Sequence, residues 1–355
     1  MRITVLVPAH NEAAQIAATI ESLLAQTHRP EQIIVVADNC TDGTEALATA
    51  MGVQVLATEG NTHKKAGALN QALRLLLPGL APTDAVLVMD ADTAMVPDFL
   101  AVAASALERR PDLGAVGGIF QGLQPRGLLG YAQTNEYTRY AREIARTGRV
   151  MVLTGTASLV RVSALRAVAE ARGLLLPGRP GDVYDRDALT EDNELTLALK
   201  TLGWSLLSPS ECLTSTELMP TLGALHRQRL RWYRGALDNL ATYGLTRVTA
   251  RYWYQQVMLA IGTLTMALYL SLTVLDATTG VLSFNPWWAL VGLIFWAERI
   301  VTAWRSPVRG RLLAALFVAE FGYDLFLQGA FIRAVWQHHR RTEAVWHHIE
   351  QGSTI

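Results

Sequence analysis

The chain has 355 residues, 50% of them hydrophobic, with 31 basic and 31 acidic side chains and a formal net charge of +0. That balance gives no electrostatic ground for nucleic-acid binding, and a mean hydropathy of +0.20 is high for a purely soluble protein. Two cysteines, Cys40 and Cys212, are too few for a disulfide framework and suit a reducing compartment.

Met1 leads straight into a strand-like run at 3–7, with no basic n-region and no apolar h-region. No cleavable signal peptide is expected, so the N-terminal domain is expected to stay in the cytosol. Helical spacing of Ile16, Ile20, Leu23 and Leu24 predicts a helix over 12–25. A second strand is expected at 33–37, closed by the turn-rich Asp38-Asn39-Cys40-Thr41-Asp42-Gly43. Helices at 44–51 and 65–77 then bracket a short strand at 53–57.

The run Ala85-Val86-Leu87-Val88-Met89 reads as a buried parallel strand, and it ends in Asp90-Ala91-Asp92. Ligands bind at the carboxyl end of such a strand in an open α/β sheet. Two carboxylates there repel unless a cation holds them, which points to a divalent metal. A helix at 97–109 and one strand at 115–120 complete a βαβα pattern, hence a mostly parallel sheet with helices on both faces. No G-x-G-x-x-G follows the first strand and no Walker P-loop is present, so a dinucleotide fold is disfavoured.

Residues 128–149 carry Tyr131, Tyr137, Tyr140 and Ile144 among arginines, which fits either a membrane-surface helix or an ordinary surface helix. Small residues in Leu153-Thr154-Gly155-Thr156-Ala157 allow backbone to approach a ligand or to pack closely. Residues 173–187 read as a loop, and Thr190-Glu191-Asp192 opens a helix to about 202 with Thr190 as N-cap.

A helix at 222–240 bears His226, Arg227, Arg229, Arg231 and Arg234 around Trp232 and Tyr233. Its Arg227, Arg229 and Arg234 are expected to anchor at a membrane surface. Residues 257–275 carry no charge and are long enough to span a bilayer, with Tyr252-Trp253-Tyr254 at the headgroup level. Spans are expected at about 257–280, 287–304 and 312–336. Glu298, Glu320 and Asp324 within them are expected to pair with Arg299 or Arg333, or to face the interface. Arg247 and Arg251, then Arg305, Arg309 and Arg311, belong on the cytoplasmic side, with an outer loop at 276–286. The basic tail at 337–341 conflicts with a full third crossing, so a re-entrant or interfacial third segment stays open.

Six ordered motifs together resemble inverting, metal-dependent family 2 glycosyltransferases of GT-A fold, over roughly residues 1–240. They are Pro8-Ala9-His10-Asn11-Glu12, the Asp38 turn through Thr44, Lys65-Ala66-Gly67-Ala68-Leu69-Asn70, Asp90-Ala91-Asp92, Thr190-Glu191-Asp192 and Gln228-Arg229-Leu230-Arg231-Trp232. The last two resemble membrane polysaccharide synthases of the cellulose, hyaluronan, chitin and poly-N-acetylglucosamine type. His10 stands where the family usually has Tyr or Phe, and Asp38-Asn39-Cys40 departs from its usual Asp-Asp-Gly-Ser.

The resemblance implies roles. Ala9, Glu12 and Asp38 would hold the nucleoside, with Asp38 on the base, and Lys65 would touch base or diphosphate. Asp90 would lie near ribose and diphosphate, and Asp92, with Asp90, would ligate Mg²⁺ or Mn²⁺. Asp192, beside Glu191, would be the general base. Gln228 and Arg231 would close over the diphosphate, and Trp232 would face the acceptor sugar. The expected layout is a GT-A-like cytosolic catalytic domain at 1–245 and a helical membrane domain at 246–355. The expected partners are a nucleotide-sugar donor (UDP foremost), a saccharide or lipid-linked acceptor, the lipid bilayer of the cell membrane, and a homo-oligomer or partner subunit. Processive synthesis, single addition to a polyprenyl-phosphate or glycolipid, and a nucleotidyltransferase remain alternatives.

Overall fold

The computed structural model describes residues 1–280 and 286–341. The chain divides into two compact units, one of Met1–Pro125 with Tyr140–Leu218 and one of Arg126–Arg139 with the residues from Met219 onward.

The first unit opens with β1 (Ile3–Ala9), α1 (Ile16–Leu24), β2 (Gln32–Ala37), α2 (Thr44–Ala50), β3 (Gln54–Ala57), α3 (Lys64–Leu76) and β4 (Ala85–Met89). Next come β5 (Ala94–Met95), α4 (Phe99–Arg109), β6 (Leu113–Gly117) and β7 (Ile119–Gly122). Helix α5 (Gly127–Thr147) follows and is shared between the units. The first unit closes with β8 (Ala157–Arg161), α6 (Val162–Ala171), α7 (Glu191–Thr201), β9 (Ser205–Leu207) and β10 (Leu213–Thr216).

Seven strands form one sheet in the order β3-β2-β1-β4-β8-β6-β9. β1 pairs in parallel with β2 and β4, β2 with β3, and β6 with β9, while β8 runs antiparallel to both β4 and β6. This is the expected α/β sheet, mixed but mostly parallel and flanked by helices. Every residue of β1 and β4 is buried, as continuous apolar runs require. The expected strand at 115–120 is in fact two. Gly118 donates its backbone N–H to the Ala157 carbonyl (2.8 Å) and parts β6 from β7, which joins a three-stranded sheet of order β5-β10-β7.

The second unit contains α8 (Leu222–Tyr243), α9 (Ala250–Thr279), α10 (Pro286–Thr302), α11 (Val308–Ala315) and α12 (Phe317–His339). Ala132 of α5, Leu225 of α8, Leu313 of α11 and Tyr323 of α12 share one apolar cluster. Helix α9 has 30 residues, with a stretch of mean hydropathy 1.9, and is long and apolar enough to cross a bilayer. The expected span at 312–336 is not one helix. α11 and α12 bend by 88° at their junction, so this segment is a broken span or a re-entrant loop. Of the expected outer loop at 276–286, residues 281–285 lie outside the described residues.

Polar groups on these helices pair within the unit. Glu320 accepts from Asn135 Nδ2 (2.8 Å) and Arg139 Nη2 (2.8 Å), and Arg299 Nη2 meets Asp324 Oδ2 (2.6 Å). Glu320 thus takes Arg139 of α5 rather than the expected Arg299 or Arg333. Two of the arginines expected as surface anchors are also interior. Arg229 is 1% exposed on Glu136, and Arg234 is 7% exposed on Asp238 (2.7 Å). Charge density in sequence signalled a wet face, but each guanidinium has a carboxylate partner that lets it be buried. Arg227 is exposed.

Candidate active site

The site builds from the carboxyl ends of β1, β2 and β4. After β1 the chain turns at Asn11, whose φ is 58°, and its Oδ1 accepts from Thr41 N (2.7 Å) in the turn after β2. Glu12 N donates to Thr44 Oγ1 (2.8 Å), and Ala13 N to Asp42 Oδ2 (3.0 Å). His10 Nδ1 lies 2.6 Å from the Asp38 carbonyl, an acceptor, so this nitrogen carries the proton. These bonds tie two loops into one wall.

Asp38, buried at the end of that wall, accepts at Oδ1 from Thr58 Oγ1 (2.8 Å), Asn61 Nδ2 (2.8 Å) and Asn39 Nδ2 (3.0 Å). Asn61 is the hinge of this arrangement. Its Nδ2 also donates to the Lys64 carbonyl (2.8 Å), and its Oδ1 accepts from His63 N (3.0 Å). A Cβ on Gly67 would stand 2.0 Å from Asn61 Oδ1, so the Lys65-Ala66-Gly67 start of α3 needs glycine there. Thr58 and Asn61 carry no local signal in the sequence, because their shared partner Asp38 lies some twenty residues away.

The Asp90-Ala91-Asp92 turn is held from α1, where buried Thr19 Oγ1 donates to the Ala91 carbonyl (2.6 Å). Lys65 Nζ meets Asp90 Oδ1 at 2.6 Å and Glu191 Oε1 at 2.9 Å. Burial opposes the ammonium charge, but Asp90, Glu191 and Asp192 outweigh it and hold Lys65 well above its ordinary value. Lys65 is therefore a charged bridge between the β4 turn and α7.

Helix α7 begins at Glu191 with Thr190 at the N-cap position, as expected, but the Thr190 side chain makes no capping hydrogen bond. Asp192 accepts from Asn193 N (2.7 Å) at Oδ1 and from Gly155 N (3.2 Å) at Oδ2. A Cβ on Gly155 would lie 3.1 Å from Lys65 Nζ, 3.2 Å from Asp90 Oδ2 and 3.5 Å from Asp192 Oδ2. Gly155 thus sits where the three charged side chains converge, and a small pocket there is lined also by Tyr184 and Glu191.

Remote contacts hold this centre. Asn70 Oδ1 accepts from Val183 N (3.0 Å) and Tyr184 N (2.9 Å), and its Nδ2 donates to the Tyr184 carbonyl (2.8 Å). Arg172 forks onto Glu194 of α7 and also donates to the carbonyls of Pro177 (2.8 Å) and Val183 (2.6 Å). The loop at 173–187 is thereby fixed against the start of α7.

The carboxylates repel one another. Burial, then Asp90, push Asp92 up to about 6. Burial, then Asp92 and Asp90, push Glu12 up to about 7, with Glu217 adding to both. Oxygen donors under mutual repulsion suit a hard divalent cation. Among the described residues no group of three or more metal-ligating side chains forms a cage. Asp90 and Asp92 fit an ion that takes its remaining ligands from phosphate oxygens and water, as Mg²⁺ sites do.

Ala9, Glu12, Asp38, Lys65, Asp90, Asp92, Glu191 and Asp192 all belong to the first unit; Gln228, Arg231 and Trp232 belong to α8 of the second. Arg229 Nη1 donates to Gln228 Oε1, and its guanidinium lies 4.2 Å from the Trp232 ring centroid.

A family model described as glycosyltransferase like family 2 matches residues 1–235. The poly-beta-1,6-N-acetyl-D-glucosamine synthase of Staphylococcus aureus (strain COL) is 27% identical over 245 residues, covering 67% of this chain and 55% of that protein. Its counterpart in Staphylococcus epidermidis is 26% identical over 246 residues. The chain spans about half the length of these curated relatives, 55% in each case. The mannosyltransferase PcManGT from Pyrobaculum calidifontis, solved with GDP-Man and Mn²⁺, is similar in fold. Its TM-score is 0.61 at 18% identity, over 96% of this chain and 88% of its own. With its model matched over most of the length and a GT-A-like sheet beneath it, the chain belongs to glycosyltransferase family 2.

Proposed function

We propose that this enzyme moves a sugar, with inversion, from a nucleoside-diphosphate sugar to a hydroxyl of a saccharide or lipid-linked acceptor at the cytoplasmic face of the cell membrane. The observation that carries the reading is the convergence of Lys65, Asp90 and Asp192 around Gly155. Asp38, with its Oδ1 held by Thr58, Asn61 and Asn39, offers a fixed carboxylate to an N–H of the base, and uridine is the expected nucleoside.

Asp192 is the general base in this account. It is held by the Gly155 and Asn193 backbone N–H groups and takes the acceptor proton as the new bond forms. Lys65 bridges Asp90 and Glu191 and holds both in place. Asp92 and Asp90 would hold Mg²⁺ or Mn²⁺, which when bound supplies charge to offset the departing diphosphate. Gln228 and Arg231 would donate to the same diphosphate, and the Trp232 ring would offer an apolar face to the acceptor sugar. One displacement, in which the acceptor hydroxyl bonds to the anomeric carbon as the nucleoside diphosphate leaves, inverts that carbon.

Helix α9 supports attachment to a bilayer, and the likeness to poly-beta-1,6-N-acetyl-D-glucosamine synthases supports transfer of N-acetylglucosamine and repeated addition. Purified protein in lipid should be offered labelled UDP-, GDP- and dTDP-sugars with Mg²⁺ or Mn²⁺, and the product sized. A long product from one UDP-sugar is expected. A product one sugar longer than the acceptor would mean single addition, and pyrophosphate in place of nucleoside diphosphate would overturn the reading.

A further inference from the structure

Within the second unit, Arg229 of α8 uses every nitrogen of its guanidinium. It is 1% exposed and carries its charge on Glu136, with Nε to Oε1 at 3.2 Å and Nη2 to Oε2 at 2.9 Å. Tyr323 of α12 donates its hydroxyl to the same Glu136 Oε2 at 2.6 Å. The remaining amino group, Nη1, donates to Gln228 Oε1. The guanidinium also stands 5.7 Å from the Tyr137 ring centroid and 4.2 Å from that of Trp232.

These contacts have chemical consequences for the two neighbours. A guanidinium can only donate, so the end of the Gln228 amide facing Arg229 is its carbonyl oxygen. The Gln228 amino group, a donor, is then the end left for another acceptor, and a phosphate oxygen is such an acceptor. One face of the half-buried Trp232 indole is taken by the cation, which fixes the ring plane. Lysine keeps the charge but not the fork, so it cannot serve Glu136, Gln228 and Trp232 together.

We infer that Arg229 is a positioning residue for sugar transfer. Locked by Glu136 and Tyr323, it takes up the Gln228 carbonyl, which makes the amide's amino group the donating end for the phosphate role proposed above, and it sets the plane of Trp232. The inference rests on the roles proposed above for Gln228 and Trp232. Arg229 touches no substrate; it acts through these two side chains, and Glu136 and Tyr323 act through it.

The test is a double-mutant cycle on turnover in lipid, after wild-type turnover has been measured, since that first measurement bears on the proposed function alone. Arg229→Lys and Gln228→Ala are made singly and together, with Tyr323→Phe as a milder variant that removes one hydrogen bond, and Arg146→Ala as an exposed control. Arg229→Lys is expected to lower turnover about tenfold in the wild-type background and to add little in the Gln228→Ala background, the non-additivity of residues in contact. The acceptor KM is expected to rise with it, and Tyr323→Phe to move both in the same direction by less. A merely structural Arg229 would give losses that multiply across the cycle and an unchanged acceptor KM. That result, or full activity of Gln228→Ala, overturns the inference.

Discussion

Arg172 and Glu194 form a two-pronged ion pair inside the first unit, Nη1 to Oε1 at 2.5 Å and Nη2 to Oε2 at 2.6 Å, with side chains 0% and 1% exposed. Glu194 lies in the first turn of α7, two residues after Asp192. The pair therefore fixes the start of the helix that carries the proposed base. Removing one partner strands a buried charge, so Arg172→Met is expected to destabilise the protein by about 3–5 kcal/mol. Arg172→Met with Glu194→Leu is expected to recover much of that loss. Thermal unfolding of the two variants checks this, and equal losses would contradict it.

Gly155 tests the convergence itself. In Gly155→Ala the new methyl would sit 3.1 Å from Lys65 Nζ and 3.2 Å from Asp90 Oδ2. Both are ends of side chains that can give way, so folding should survive. Their displacement by a few tenths of an ångström is expected to cut turnover by about tenfold, less than the roughly 100-fold that a full 1 Å misplacement can cost. Turnover within twofold of wild type, in about the range of a neutral surface change, would mean the alignment around Gly155 does not matter.

The raised carboxyls predict a pH dependence of stability. Glu12 titrates near 7 rather than 4.5 and Asp92 near 6 rather than 3.8, with burial the largest cause in each. A raised acid favours its protonated form in the folded state. Stability is fully present below the unfolded values and is lost as pH rises through the folded ones. The melting temperature of chelator-treated protein is therefore expected to fall between about pH 5 and about pH 8. Glu12→Gln should flatten that fall, and so should Mn²⁺, by replacing protons with a bound cation. A melting temperature that rises over this range would contradict the account.

The alternation of apolar runs with helical spacing made the β1-to-β4 half of the fold legible, because each run was long enough to be a buried strand. Asp38, Asp90 and Asp92 were legible as site candidates for a related reason, since each follows the end of a strand, whereas Asp192, at the start of a helix, was legible only through the family resemblance. What the sequence hid was pairing across distance. Nothing local to Arg172 points to Glu194, and nothing local to Asp38 points to Thr58 or Asn61. Arg229 lies in a run of charges that looks like a wet face, and only the position of Glu136 on α5 makes it interior. The basic tail at 337–341 left a re-entrant third segment open, but nothing local marks Leu316 as the place of the 88° bend between α11 and α12.

Asp192→Asn tests the central claim most directly. The amide keeps the size of the carboxylate but cannot take a proton from the acceptor. Nucleoside-diphosphate release should be measured for wild type and variant with the preferred donor, with Mn²⁺ and with chelator, beside calorimetric binding of the nucleotide. The account predicts metal-dependent release by the wild type, a loss of about 10²–10⁴-fold in the variant, and nucleotide affinity close to wild type. Release by Asp192→Asn at the wild-type rate, or release indifferent to the chelator, would contradict it.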